Sequence, residues 1–145
     1  MEIRRASLAD APVMRSLWEE FNTEATYTPY PPAPFDDSFL DHIALIAEES
    51  GTAVGIVYAN LAGDHFGFVF GLYVRPLMRR RGMAGALMRA IAEAIRNEGR
   101  RYVVLNVDTP NAAARAFYAR LGFVDAARTL RADVGTLLDR VARPD

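Results

Sequence analysis

Cysteine is missing from this 145-residue chain, which excludes disulfides, thiolate metal sites and a cysteine nucleophile. Its absence suits a reducing cytoplasm, and a cytoplasmic location is the expectation. Histidine is scarce: His42 and His65 stand far apart and form no ligand spacing, so no metal is expected. No apolar run is long enough to cross a bilayer, and none is expected to meet a membrane. The first ten residues carry Glu2, Arg4, Arg5 and Asp10, which leaves no apolar core for a signal peptide. A net charge of −1 gives no basic field to recruit nucleic acid. Repeats, linkers and low-complexity tracts are also lacking.

What is present is an ordinary globular balance, 51% apolar and 24% charged residues, in a length that suits one domain over 1–145. The chain is organised around Phe66 to Asn97. Nine apolar, aromatic or glycine residues from Phe66 to Val74 predict a buried strand. Arg75-Pro76 breaks it, since proline has no N–H to donate. Arg79, Arg80 and Arg81 follow, and Gly82 opens a helix whose apolar face is Ala84, Leu87, Met88, Ile91 and Ile95. Gly99 is placed to stop it. A helix N-terminus after a basic turn favours an anion, and Gly82, Ala84 and Gly85 leave its N–H groups approachable. By spacing alone, a phosphate site and a solvated arginine run are equally good readings.

The segment Arg79-Arg-Arg-Gly82-Met83-Ala84 resembles the Arg/Gln-x-x-Gly-x-Gly/Ala signature of the GCN5-related N-acetyltransferase (GNAT) family. The resemblance implies that the backbone from Arg79 to Gly85 holds the pyrophosphate of acetyl-CoA. It implies that Leu72, Tyr73 and Val74 offer backbone groups to the pantetheine arm and the acetyl carbonyl. A second block, Asn111-x-x-Ala114-x-x-x-Tyr118 followed by Gly122-Phe123, resembles the family's later motif. The likeness runs from Ile3 to about Phe123. It implies an α/β fold with a mixed, mostly antiparallel sheet, a parallel pair splayed at the cofactor cleft, and helices on both faces.

The remaining elements follow in order. Glu2–Arg5 is a short strand, and Ser7 with Asp10 caps a helix whose face is Ala11, Met14, Leu17, Trp18 and Phe21. Asn22 to Asp37, with Pro29, Pro31, Pro32 and Pro34, reads as an ordered loop that is either structural or lines the acceptor site. A short helix is expected over Asp36 to Ala44. Strands at Ala44–Glu48 and Ala53–Leu61 flank a turn at Ser50-Gly51. Gly67 or Gly71 would supply a bulge in the central strand. Tyr102–Val107 should pair parallel to that strand by a right-handed crossover. Asp108 to Asn111 turns into a helix over Ala112–Leu121, with Phe117 and Leu121 facing the core. Strands from Phe123 and over Thr129–Val134, then a helix over Thr136–Ala142, complete the expectation.

The implied reaction moves an acetyl group from the thioester to a primary amine. Tyr118 would act as the acid toward the departing thiolate, Asn111 would fix the pantetheine arm, and an N–H near Val74 would meet the oxyanion. Glu24, Tyr27, Tyr30 and Asp108 are acceptor-side candidates. An alkylammonium of pKa about 10.4 leaves roughly one neutral amine in a few thousand at pH 7, so a base or a depressed pKa is needed. The central strand holds no carboxylate. Glu24, Asp64, His65 and Asp108 are the candidates, and the sequence does not choose. A free small amine is favoured over a protein N-terminus or lysine. A non-catalytic acyl-CoA-binding module is the rival reading, and a homodimer is left open.

Overall fold

The computed structural model describes residues 1–25, 33–61 and 63–142. They fall into two compact units, Met1–Pro110 and the residues from Asn111 onward. The first carries five strands in spatial order β1 (Glu2–Arg5), β2 (Ile43–Glu49), β3 (Thr52–Asn60), β4 (Phe66–Val74) and β5 (Tyr102–Leu105). The first four pair antiparallel; β5 pairs parallel with β4. Ser50 and Gly51, at φ 52° and 79°, make the two-residue hairpin between β2 and β3, a turn that matches strand twist.

Helices cover the two faces because strand side chains alternate. Helix α1 (Ala11–Glu24) buries Met14 and Leu17 in a cluster with Ile46, Ile56, Tyr58 and Tyr73. Helix α2 (Met83–Asn97) buries Met83, Leu87, Met88, Ile91 and Ile95 on the other face. It sits close because Gly55 and Gly67 have no side chains: a Cβ would meet Leu87 at 3.1 Å and Ile95 at 2.7 Å. A 3₁₀ turn, Leu8–Asp10, leads into α1, and Asp10 accepts the Ser7 N–H at 2.7 Å. Arg4 ties that turn to the sheet, donating to Asp10 at 2.7 Å and to Glu48 at 2.5 Å. Its guanidinium holds the Asp10 carboxyl well below the usual carboxylate range.

Four expectations need correction. The segment before β2 is a 3₁₀ turn, Asp37–Asp41, not a helix reaching Ala44. Asp36 caps it by accepting the Ser38 N–H at 2.9 Å, and the buried β-branched Ile43 opens β2 opposite Ala59. The fifth strand stops at Leu105, not Val107. Residues 123–133 form no strand. Asp133 instead accepts the Thr136 N–H and opens α4 (Val134–Val141), so the expected last strand runs into a helix cap. In this second unit α3 (Ala112–Arg120) ends as expected near Gly122, but Leu121 is exposed rather than set in a core.

Candidate active site

The bulge lies at Gly71. Tyr58 faces Phe70 and Ile56 faces Tyr73, so Gly71 and Leu72 together oppose Val57. Gly71 has φ 66°, the left-handed conformation such bulges use, while Gly67 stays in regular register with Val103. A bulge bends its strand, and the parallel pairing of β4 with β5 runs only from Phe66 opposite Tyr102 to Val69 opposite Leu105. Past that point the β5-side edge of β4 is unpaired with β5. Arg75 donates its N–H to Val54 O at 2.9 Å, so the neighbouring Val74 turns its N–H and C=O the other way, toward that edge.

Immediately after β4 come a 3₁₀ turn, Pro76–Met78, and the arginine loop. Arg80 at φ 64° and Gly82 at φ 77° are both left-handed, which folds the loop tightly against the start of α2. The first i→i−4 bond there is Ala86 N–H to Gly82 O at 3.0 Å, so the N–H groups of Met83, Ala84 and Gly85 have no partner one turn back. A Cβ built on Gly82 or Gly85 meets nothing within 4 Å. Space, donors and the positive end of the helix dipole coincide, and the residues present suit a pyrophosphate.

Arg79 takes a different part from its two neighbours. It donates to Val74 O at 2.8 Å and to Glu24 Oε2 at 2.5 Å, with its guanidinium 5.5 Å from the Tyr73 ring centre. Glu24 from the end of α1 is thereby joined to the end of β4. Burial, then Glu24 and Glu20, pushes the Tyr73 phenol above its usual pKa. Asp64 and His65 lie at the opposite end of β4, about 30 Å from Val74 at strand rise, too far to act directly on a group there. Asp108 is exposed beyond β5. Tyr27 and Tyr30 lie outside the described residues.

Asn111 and Tyr118 share α3 in the second unit. Asn111 caps it, its side-chain oxygen accepting the Ala114 N–H at 3.1 Å. The Tyr118 ring packs between Phe117 and Phe123, with centres 5.2 and 5.5 Å away. Burial pushes its phenol above the ordinary value, which keeps the proton on and makes it a donor.

The model of the acetyltransferase (GNAT) family matches residues 11–123. The chain belongs to the GNAT family of acetyltransferases. An N-acetyltransferase of Methanocaldococcus jannaschii, itself described as uncharacterised, is 30% identical over 86% of this chain and 79% of its own. An aminoglycoside N(6')-acetyltransferase of Salmonella typhimurium is 28% identical over 62% of this chain and 68% of its own. Among solved structures, an aminoglycoside N-acetyltransferase in complex with CoA superposes with a TM-score of 0.75 at 21% identity, covering 91% of this chain and 98% of that one. A ribosomal-protein-alanine N-acetyltransferase from Brucella melitensis gives 0.74 at 20%, covering 88% and 86%. At such identities the likeness shows the fold.

Two features of this acetyltransferase escaped the sequence reading. One is the Glu24–Arg79 pair, separated by 55 positions. The other is a hollow of about 270 Å³ between α1 and the sheet, with Trp18, Phe35, Phe39, His42, Tyr58 and Phe70 in its wall. Trp18, on the helix face read from the sequence, is half-buried: packed on Tyr58 and Phe70, it also donates its Nε1–H to Ala33 O at 2.8 Å. Among the described residues no His/Asp/Glu group is placed to hold a metal. No described helix is long and apolar enough to cross a membrane.

Proposed function

We propose that this acetyltransferase uses acetyl-CoA to acetylate a primary amine on a small molecule. The observation that carries the reading is the open start of α2: three N–H groups beside left-handed Arg80 and Gly82, directly after the strand that leaves β5. Arg80, Arg81 and the backbone from Gly82 to Gly85 hold the pyrophosphate, and Arg79 fixes the loop to β4. The edge of Leu72, Tyr73 and Val74 carries the pantetheine arm, with Val74 N–H turned to where charge develops on the carbonyl oxygen. The relatives' printed activities include acetylation of aminoglycosides, which supports a small-molecule acceptor.

Acetyl-CoA supplies an activated acyl group, and the chain supplies position and protons. Tyr118 donates toward the departing sulfur. A phenol above pKa 10 is a weak acid against a thiol of about 8.5, so a hydrogen bond that strengthens as charge develops is the role assigned to it. The Asn111 oxygen serves α3, which leaves its NH2 to donate to the arm. Glu24 is assigned to the acceptor ammonium, and Tyr27, Tyr30 and Asp108 are the further residues proposed to meet the acceptor. All seventeen basic residues are arginine, so no lysine of its own competes as acceptor. Thiol release from acetyl-CoA, followed over a panel of amines, tests the reading. Binding of acetyl-CoA without release for any amine would favour a non-catalytic module.

A further inference from the structure

We infer that the hollow between α1 and the sheet receives the aromatic ring of the acceptor, and that the substrate is an arylalkylamine with a polar ring substituent. The inference deepens the proposed acetyl transfer and rests on it for the word acceptor. Six of the lining side chains are rings: Trp18, Phe35, Phe39, His42, Tyr58 and Phe70. They meet at geometries that leave faces and edges for another ring, with Tyr58 stacked on Phe70 at 5.3 Å and His42 edge-on to Phe70 at 5.4 Å. The volume, about 270 Å³, falls just below the range for drug-sized ligands and suits one ring, not a multi-ring aminosugar.

Polarity points the same way. Tyr58 is 2% exposed, and its hydroxyl has no hydrogen-bond partner among the described residues. A buried hydroxyl left unpaired costs free energy that a substituent on the ligand ring would offset. Asp36 is the one acidic side chain in the hollow's wall among the described residues, and it accepts the Ser38 N–H, which leaves a polycation little to hold there. Phe70, in the wall of the hollow, lies one residue before the bulge and two before Leu72, the first residue assigned to the pantetheine arm and acetyl group. Along α1, Glu24, the residue assigned to the ammonium, stands about 9 Å of helix rise beyond Trp18, where it lines a separate hollow with Glu20 and Tyr73.

Trp18 is the chain's one tryptophan, so its fluorescence reports this hollow. The test titrates 2-phenylethylamine, tyramine, spermidine and kanamycin into the CoA-bound protein and into Tyr58→Phe. Tyramine should change the emission saturably and bind roughly three- to tenfold tighter than 2-phenylethylamine, the worth of one hydrogen bond. Tyr58→Phe should erase that ratio and melt no lower than the parent. The inference is overturned if neither arylalkylamine changes the emission, if the two bind equally, or if the ratio survives in the variant. It is also overturned if kanamycin or spermidine binds tighter. Fluorescence reads occupancy without turnover. Aryl amines that bind with no thiol released would sink acetyl transfer and leave the ring site, whereas thiol released only with polycations would sink the ring site alone.

Discussion

Gly82→Asp puts a carboxylate where the pyrophosphate is proposed to lie. The structure lets its two effects be separated. At φ 77° a side chain costs about 1 kcal/mol of backbone strain. No atom lies within 4 Å of the new Cβ, so no packing term is added. A negative charge at a helix N-terminus returns about 0.3–1 kcal/mol. The net loss of stability should stay within about 1 kcal/mol, a fall of a few degrees in melting temperature for a chain of this size. Binding should suffer far more. At about 5 Å and an effective dielectric of about 20, one pair of like charges repels by about 3 kcal/mol, roughly a hundredfold in Kd. Acetyl-CoA at a hundred times the parent's Kd stabilises it by about 2.7 kcal/mol; the variant, near its own Kd, would gain about 0.4 kcal/mol. Differential scanning fluorimetry with and without acetyl-CoA reads the contrast. Gly82→Asn, which tolerates the left-handed conformation without the charge, should keep most of the shift. Equal shifts in the parent and the aspartate variant would refute the site.

Tyr118→Phe keeps the ring between Phe117 and Phe123 and should lower kcat by about a hundredfold or more, with acetyl-CoA binding within a few-fold; an unchanged kcat in the folded variant, with chemistry rate-limiting, removes the acid from the mechanism. Since burial raises its pKa, the parent's donor should persist through about pH 10. Gly71→Ala brings a Cβ to 2.7 Å from Tyr58 and 2.8 Å from Trp18 at φ 66°, so it should cost about 2–4 kcal/mol and lower the melting temperature by about 5–15 °C. Asp10 has a depressed folded-state pKa, so its stabilisation is present above about pH 4 and lost as pH falls. Arg4 is about a third exposed, which discounts the contribution to about 1 kcal/mol. Asp10→Asn should therefore lower stability at neutral pH and lose less than the parent between pH 7 and pH 3, as read by urea melts.

Elements whose cause is local were legible in the sequence. The period of Leu87, Met88, Ile91 and Ile95 gives α2, and Ser50-Gly51 gives its hairpin, because neighbours along the chain decide both. Gly67 and Gly71 could not be told apart, since one serves the approach of Ile95 and the other a register shift set by β3. Apolar residues after Phe123 suggested strands, yet a strand needs a partner, and Asp133 commits the chain to a helix instead. Of the site, the arginine loop announced itself by motif. The hollow did not: Trp18, Phe39, Tyr58 and Phe70 are spread over four elements and meet only after the sheet has formed. Its one local hint was the aromatic spacing of Phe68 and Phe70 on one side of β4.

The extra residue at Gly71 makes β4 sensitive to counting rather than to chemistry. Losing the bulge by a slip, with the sequence unchanged in length, would move Leu72 opposite Ile56 and carry Tyr73 and Val74 to the opposite faces. Deleting Gly71 outright would do the reverse, leaving Tyr73 opposite Ile56 and Val74 opposite Gly55 as they are now. The shortened strand would keep its core contacts but lose the bend that parts it from β5. One omitted residue would thus spare the packing and close the opening, so the same position separates what the sheet needs to fold from what it needs to admit a ligand.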